Sequence, residues 1–283
     1  MNEKRYFCIR GFMKSGTNWL ERLVNRHPQV SSTGEFHWQE ILQPLLNRGN
    51  TTSLFRNKKF FLQTVEMLRD VFRKSIELAN APQATWVGDR TPHSLDPLIL
   101  PEAHHISIIR DGRDVLVSRV FHLFNNPGVT RVFERSPELA EMLQGFKSDP
   151  WFFHKSPELL LSSEELVRIS ARWWREHLES DRETVVSNPD LKVMFIKYER
   201  MHLETELVSN EIFGFLEVDP GLAEPITGDA APGFEEERPD KFQRKGIVGD
   251  WKNYFTDSSR AWFQEEAGEE LVRQGYAENG VAW

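Results

Sequence analysis

The chain holds a single cysteine, Cys8, among 283 residues, so an internal disulfide is excluded and no cysteine cluster points to zinc. Cys8 lies in the apolar run Tyr6-Phe7-Cys8-Ile9 and reads as a buried strand thiol. Long hydrophobic runs are missing as well. No segment approaches the length that crosses a bilayer, and residues 1–11 lack the apolar stretch of a signal peptide, so a cytoplasmic protein is expected. Positive charge is short too: 35 Lys and Arg stand against 43 Asp and Glu, for a net charge of −8. That balance disfavours a non-specific nucleic-acid binder. An anionic ligand would need cations gathered at a few places. Internal repeats and low-complexity tracts are absent.

What is present is core. Hydrophobic residues make up 39% of the chain, with 9 Trp and 20 Phe, enough to bury a sizeable interior. Residues 5–10 read as a buried strand, Gly11 to Gly16 as a small-residue turn, and Thr17 to Arg26 as a helix with Trp19, Leu20, Leu23 and Val24 on one side. Further strands are expected at 30–35, 85–88, 104–109 and 191–197. Helices are expected at 37–47, 58–80, 110–124, 163–183, 204–216 and 257–273. Strands alternating with helices imply an α/β fold with a mostly parallel central sheet flanked by helices. We read 1–283 as one domain, with 121–165 an insertion or lid and 217–243 a surface loop.

Cations gather in three segments. Gly11-Phe12-Met13-Lys14-Ser15-Gly16-Thr17-Asn18 sits between a strand and a helix, where amides and the helix dipole favour an anion. The nucleotide-triphosphatase loop has Lys and Ser/Thr after its second glycine. Here Thr17 and Asn18 stand there, and the lysine comes earlier, as Lys14. The loop suits phosphate but fits ATP–Mg²⁺ poorly. Arg110-Asp111-Gly112-Arg113-Asp114 follows the strand 104–109 directly, and Ser118 lies roughly two helical turns on. Arginine and hydroxyl can share one phosphate; alternatively Arg110 pairs with Asp111 or Asp114. The third segment runs Arg244-Lys245-Gly246-Ile247-Val248-Gly249-Asp250-Trp251-Lys252-Asn253 and ends at Thr256. Two cations before a glycine suit a phosphate clamp, or a solvated basic turn.

Together these three segments resemble the PAPS-dependent sulfotransferases, PAPS being 3'-phosphoadenosine 5'-phosphosulfate. Lys14 to Trp19 is similar to their 5'-phosphosulfate loop, Arg110 to Ser118 to their 3'-phosphate motif, and Arg244 to Thr256 to their C-terminal signature. The order and separation also fit, so the resemblance spans nearly the whole chain. It implies a P-loop-like three-layer fold, PAPS as donor with PAP as product, and no metal. It also implies roles. Lys14 would contact the transferring group, and Ser15, Gly16, Thr17 and Asn18 would cradle the 5'-phosphate. Trp19 would lie near the adenine, with Tyr198 at the nucleotide and Phe234 closing over the ring. Arg110, Ser118, Arg244, Lys245 and Gly246 would hold the 3'-phosphate.

The general base departs from the family pattern. Cytosolic members use the histidine of a Lys-Thr-His segment, and here the stretch is Arg90-Thr91-Pro92-His93, one place late. Carbohydrate-type members use a glutamate soon after the first helix, and Gly34-Glu35-Phe36-His37 resembles that arrangement. Glu35 is therefore the expected base, with His37 or His93 assisting and Arg90 in place of the family's lysine. The family's dimer motif is not evident after Thr256, so oligomeric state stays open. The acceptor is a small molecule or carbohydrate with a hydroxyl. The aromatics of 121–165 suggest an apolar or ring-shaped one. Two other functions compete: a small-molecule P-loop kinase, which would need Mg²⁺, and an inactive nucleotide-binding module, which would tolerate loss of Glu35.

Overall fold

Alternation along the first strand decides which way it faces. Phe7 and Ile9 join one apolar cluster, while Cys8 and the partly buried Tyr6 join another on the opposite side. A strand covered on both faces belongs to a parallel sheet with helices on either side. The computed structural model describes residues 3–49, 58–233, 237–241 and 244–278. Its strands are β1 (Arg5–Gly11), β2 (Val30–Thr33), β3 (Trp86–Arg90), β4 (His104–Ile109) and β5 (Val193–Lys197). They form one five-stranded sheet in the order β2-β3-β1-β4-β5, with every neighbouring pair parallel. The expected mostly parallel sheet is thus parallel throughout. Cys8 stands opposite Asp89 on one side and His105 on the other.

The helices are α1 (Thr17–Val24), α2 (Trp38–Gly49), α3 (Lys58–Ala79), α4 (Gly112–Asn125), α5 (Val132–Arg135), α6 (Pro137–Ser148), α7 (Phe152–Lys155), α8 (Glu164–Ser187), α9 (Tyr198–Leu203), α10 (Thr205–Phe215) and α11 (Asp257–Arg273). By its contacts the chain divides into two compact units. One comprises Met1–Phe12, Gly16–Ile109 and Ser180–Ala231; the other comprises Met13–Ser15, Arg110–Glu179 and Pro232–Trp283.

The first unit holds the sheet. On one face Leu20, Leu23 and Val24 of α1 and Val208, Ile212 and Phe213 of α10 pack on Phe7, Ile9, Ile106 and Ile108. On the other face Val65, Phe72 and Ile76 of α3, with Leu42 of α2, pack on Cys8 and Val87. Burying each such side chain is worth about 1.5–3 kcal/mol, so both helical layers are held by apolar burial. The chain places β2 and β3 on one side of β1 and then crosses to β4 on the other. The carboxyl ends of β1 and β4 are therefore the topological switch point, where open α/β sheets take their ligands.

Sequence reading ended the third strand at Gly88, but β3 continues through Asp89 and Arg90. The polar end is tolerated because it is paired. Asp89, 1% exposed, accepts from Arg10 Nη1 at 3.0 Å and from Thr91 Oγ1. The short α9 was also not foreseen.

The second unit is helical. Asp111 caps α4 by accepting from the Arg113 amide at 2.9 Å. Gly112 is required next: Trp174 lies so close that a Cβ would come within 2.6 Å of its indole. Thr256 and Ser259 form a capping box at the start of α11. Phe121, Phe124, Phe133, Phe146 and Phe153 pack ring on ring, and all are buried. These five phenylalanines are spent on the interior of this unit, whereas Trp151 in the same stretch is 45% exposed.

Candidate active site

The β1–α1 connection is shaped by two glycines. Gly11 has φ +145°, and a Cβ on it would meet the Ile108 carbonyl oxygen at 2.6 Å. Gly16, at φ +101°, precedes α1, and a Cβ there would meet the Tyr198 ring at 2.6 Å. No acceptor among the described residues takes the amides of Gly16, Thr17 and Asn18. These are open donors at a helix N-terminus. Ser15 is 1% exposed, and its Oγ has no hydrogen-bond partner among the described residues. A buried hydroxyl left without a partner is costly. A phosphate oxygen reaching this hydroxyl would satisfy it.

Tyr198 and Trp19 are placed around the same helix start. Tyr198 is buried, with its ring beneath Gly16 and edge-on to Trp19 at 5.5 Å. Trp19 donates from Nε1 to the Ala230 carbonyl at 2.9 Å and meets His202 edge-on. Tyr198 thus supports the loop from below. Phe234 lies outside the described residues.

Four of the expected catalytic side chains come together in the first unit. Arg90 donates through Nη1 to Glu35 Oε1 and through Nε to Glu21 Oε2, the latter at 2.9 Å. The other Glu35 oxygen, Oε2, is 3.2 Å from His37 Nε2. His37 Nδ1 is 3.5 Å from His93 Nε2. His37 takes a left-handed backbone, φ +54°, just before α2, a conformation uncommon outside glycine and enriched at functional sites. Asp89 steadies the segment from below by accepting from the Phe36 amide at 3.3 Å. Gly34 is needed because the Arg90 carbonyl passes directly over it. Burial, then the neighbouring His37 and Arg10, hold the His93 imidazole below its ordinary pKa, which favours its neutral form. Burial pushes the Glu21 carboxyl above its usual range, with Arg90 opposing. Glu35 keeps 34% of its side chain exposed, so a substrate hydroxyl can reach it.

The expected 3'-phosphate residues belong to the second unit. Arg110 donates from Nη1 to the Lys14 carbonyl at 3.2 Å and from Nη2 to the Ile247 carbonyl at 2.9 Å. One guanidinium thereby ties the first and third motifs. Asp114 lies 3.9 Å from Arg110 Nη2 and accepts from the amides of Gly249 at 2.7 Å and Trp251 at 2.9 Å. Its burial raises the carboxyl pKa against the pull of Arg110 and both amides. Ser118 is half-buried on α4. Asp111, the other acid considered for Arg110, instead holds Arg113, whose guanidinium lies 3.9 Å from the centre of the Trp251 ring.

Arg244 and Lys245 are also paired. Arg244 lies over the Phe121 ring at 4.3 Å and donates to Glu237 and Asp250. Lys245 Nζ is 3.1 Å from each of the same carboxylates. Burial works to raise the Asp250 pKa, but Arg244 and Lys245 outweigh it and hold the carboxyl below its usual range. Gly246 adopts φ +66°, a turn that favours glycine.

Sequence reading missed Glu21, Glu40 and His122. Their signal was helical spacing: Glu21 lies four residues after Thr17, Glu40 three after His37, and His122 four after Ser118. Burial first, then Lys14 and Arg119, lower the His122 pKa to about 4, so it is neutral near that ammonium.

A parallel sheet with an amide-lined loop at its switch point, and arginines following its strands, defines an α/β protein built to hold a phosphate-bearing ligand. The family model described as the sulfotransferase domain matches residues 4–275, and the chain belongs to that family. The enzyme class is therefore sulfotransferase. Among solved structures, the chain is similar to mouse sulfotransferase SULT7A1 complexed with PAP, at 18% identity, covering 100% of this chain and 91% of that one, with TM-score 0.51. It is also similar to retinol dehydratase in a complex with retinol and PAP, at 17% identity over 96% and 82% of the two chains, TM-score 0.47. The sulfotransferase domain from the curacin biosynthetic pathway matches at 14% identity over 98% and 99%, TM-score 0.49. No described helix is long and apolar enough to cross a membrane.

Proposed function

We propose that this chain transfers a sulfuryl group from PAPS to an acceptor hydroxyl, with Glu35 as the general base. The observation that carries the donor assignment is the start of α1, where the amides of Gly16, Thr17 and Asn18 have no acceptor among the described residues. The 5'-phosphate takes those donors. The 3'-phosphate falls to Arg110 and Ser118, with Arg244, Lys245 and the Gly246 turn beside them. Lys14 faces the sulfuryl group and the oxygen that leaves with PAP. That oxygen gains charge in the transition state, so a fixed ammonium and loop amides there lower the barrier.

Glu35 is oriented for its part. Arg90 holds one carboxylate oxygen and His37 approaches the other. The acceptor oxygen forms its bond to sulfur as the sulfur–oxygen bond to the phosphate breaks, and Glu35 takes the hydroxyl proton. His93, neutral and next to His37, is a second proton acceptor in the same group. The acceptor is a small molecule or carbohydrate.

Calorimetric binding of PAP without metal tests the donor site, on wild type and on Ser118→Ala and Arg110→Ala. Wild type is expected to bind, with both variants weaker and Arg110→Ala by at least tenfold. Glu35→Gln should keep PAP affinity while transfer falls by about 10²–10⁴-fold. A folded wild type that ignores PAP would overturn the assignment.

A further inference from the structure

The histidines beside Glu35 make a second arrangement that sulfuryl transfer does not require. Glu40, on the first turn of α2, places Oε1 3.3 Å from His37 Nδ1 and 3.8 Å from His93 Nε2. The two histidine nitrogens are themselves 3.5 Å apart. Three ligand atoms, one per residue, thus form a small triangle. A zinc ion bound at about 2.0–2.1 Å in tetrahedral geometry has ligand-to-ligand edges of about 3.3–3.4 Å. The observed triangle matches one face of that tetrahedron to within a few tenths of an ångström.

A second feature points the same way. His37 uses Nδ1 toward the triangle and presents Nε2 to Glu35 Oε2 at 3.2 Å. A carboxylate accepting from the far nitrogen of a ligating histidine is the usual outer support of zinc-bound imidazole, fixing its tautomer and ring orientation. The Glu35 carboxylate is in turn held by Arg90. Two imidazoles and one carboxylate suit a borderline cation better than Ca²⁺ or Mg²⁺, which prefer all-oxygen shells. The half-exposed setting leaves the fourth position to water.

We propose that His37, Glu40 and His93 form a three-ligand site for Zn²⁺ whose occupancy inhibits the enzyme. With Zn²⁺ bound, both histidines become ligands, and the cation stands beside the acceptor-facing carboxylate. The inhibitory part rests on the proposed role of Glu35; the binding part does not.

The test is calorimetric titration of the whole chain with Zn²⁺, and Co²⁺ loading followed by visible absorption. Wild type is expected to bind one Zn²⁺ and, with Co²⁺, to show the intense d–d bands of tetrahedral coordination. His93→Gln and Glu40→Gln should each lose at least tenfold in affinity, and Glu35→Gln about tenfold through its support of His37. PAP binding of the same samples is measured in parallel, which keeps failure of this site distinct from failure of the donor site and reports folding of the variants. Zn²⁺ affinity unchanged in both ligand variants, or weak octahedral Co²⁺ spectra, would overturn the proposal. Transfer activity should fall as Zn²⁺ fills the site in wild type and resist Zn²⁺ in Glu40→Gln; unimpaired turnover at saturation would overturn the inhibitory role.

Discussion

Replacing Gly16 by alanine should damage the phosphate loop through two separable costs. The first is conformational: with φ at +101°, an L-residue here carries about 1–2 kcal/mol of backbone strain. The second is steric. The new Cβ would sit 2.6 Å from Tyr198 Cδ2 and 2.8 Å from Cε2, and Tyr198 cannot swing away because it is buried at 4% exposure against α1 and α10. Overpacking of this kind costs about 1–3 kcal/mol. Gly16→Ala should therefore lose about 2–5 kcal/mol in all. Only the steric part depends on the ring, so a double-mutant cycle isolates it. Tyr198→Val removes the ring carbons and should cost about 2–4 kcal/mol by itself. In the double variant the overlap is gone, and the loss should fall short of the sum of the single losses by about 1–3 kcal/mol. Urea unfolding followed by tryptophan fluorescence reads all four corners, and an unchanged slope certifies a common unfolding reaction. Strict additivity to within about 0.5 kcal/mol would refute the claim that Tyr198 fixes the identity of residue 16.

Other expectations concern charge. Glu237 neutralises Arg244 and Lys245, so if these cations take the 3'-phosphate as proposed, the arriving phosphate displaces it; Glu237→Gln should then tighten PAP about three- to tenfold by calorimetry, and weaker binding would show that Glu237 orients the cations instead. His105 is fully buried on β4 with neither ring nitrogen partnered among the described residues, and burial, then Arg10 and His104, lower its pKa to about 3. Its folded pKa lies below the unfolded value, so the unfolded state binds the extra proton between about pH 3 and 6.5. Stability tied to this group is present above that window and lost as pH falls through it. His105→Leu should remove that loss, worth up to about 5 kcal/mol by pH 3 at 1.36 kcal/mol per unit, and move acid unfolding to lower pH; an unmoved midpoint would contradict a neutral buried imidazole.

What the sequence disclosed followed from local physics. The unbroken apolar run Tyr6-Phe7-Cys8-Ile9 gave a buried strand, and glycines at 11 and 16 gave a turn into a helix, because each signal sits within a few residues. The grouping of Glu35, His37, Arg90 and His93 was foreshadowed by motif resemblance but not by spacing, since residues 35 and 90 meet only through the pairing of β2 with β3. Asp114 was considered only as a foil for Arg110. Its larger task, holding the amides of Gly249 and Trp251, spans more than a hundred residues and leaves no local trace. Which aromatics of 121–165 belong to the core was not legible, because composition cannot separate a pocket wall from a core.

Charge shows the same limit more sharply. Net charge of −8 left the question of how an acidic chain keeps a site for an anion. In the second unit the expected phosphate-binding cations are set among acids of the same unit. Arg244 and Lys245 pair with Glu237 and Asp250, and Arg110 lies beside Asp114. Buried guanidinium groups need such partners, since an uncompensated charge out of water costs several kcal/mol. The acids and cations therefore belong to one device. The carboxylates hold the arginines in place, and binding a phosphate becomes an exchange of counter-charges instead of the capture of an anion by bare cations. A count of charges along the sequence sums this device to nearly nothing, which is why the overall acidity of the chain and a phosphate site within it are compatible.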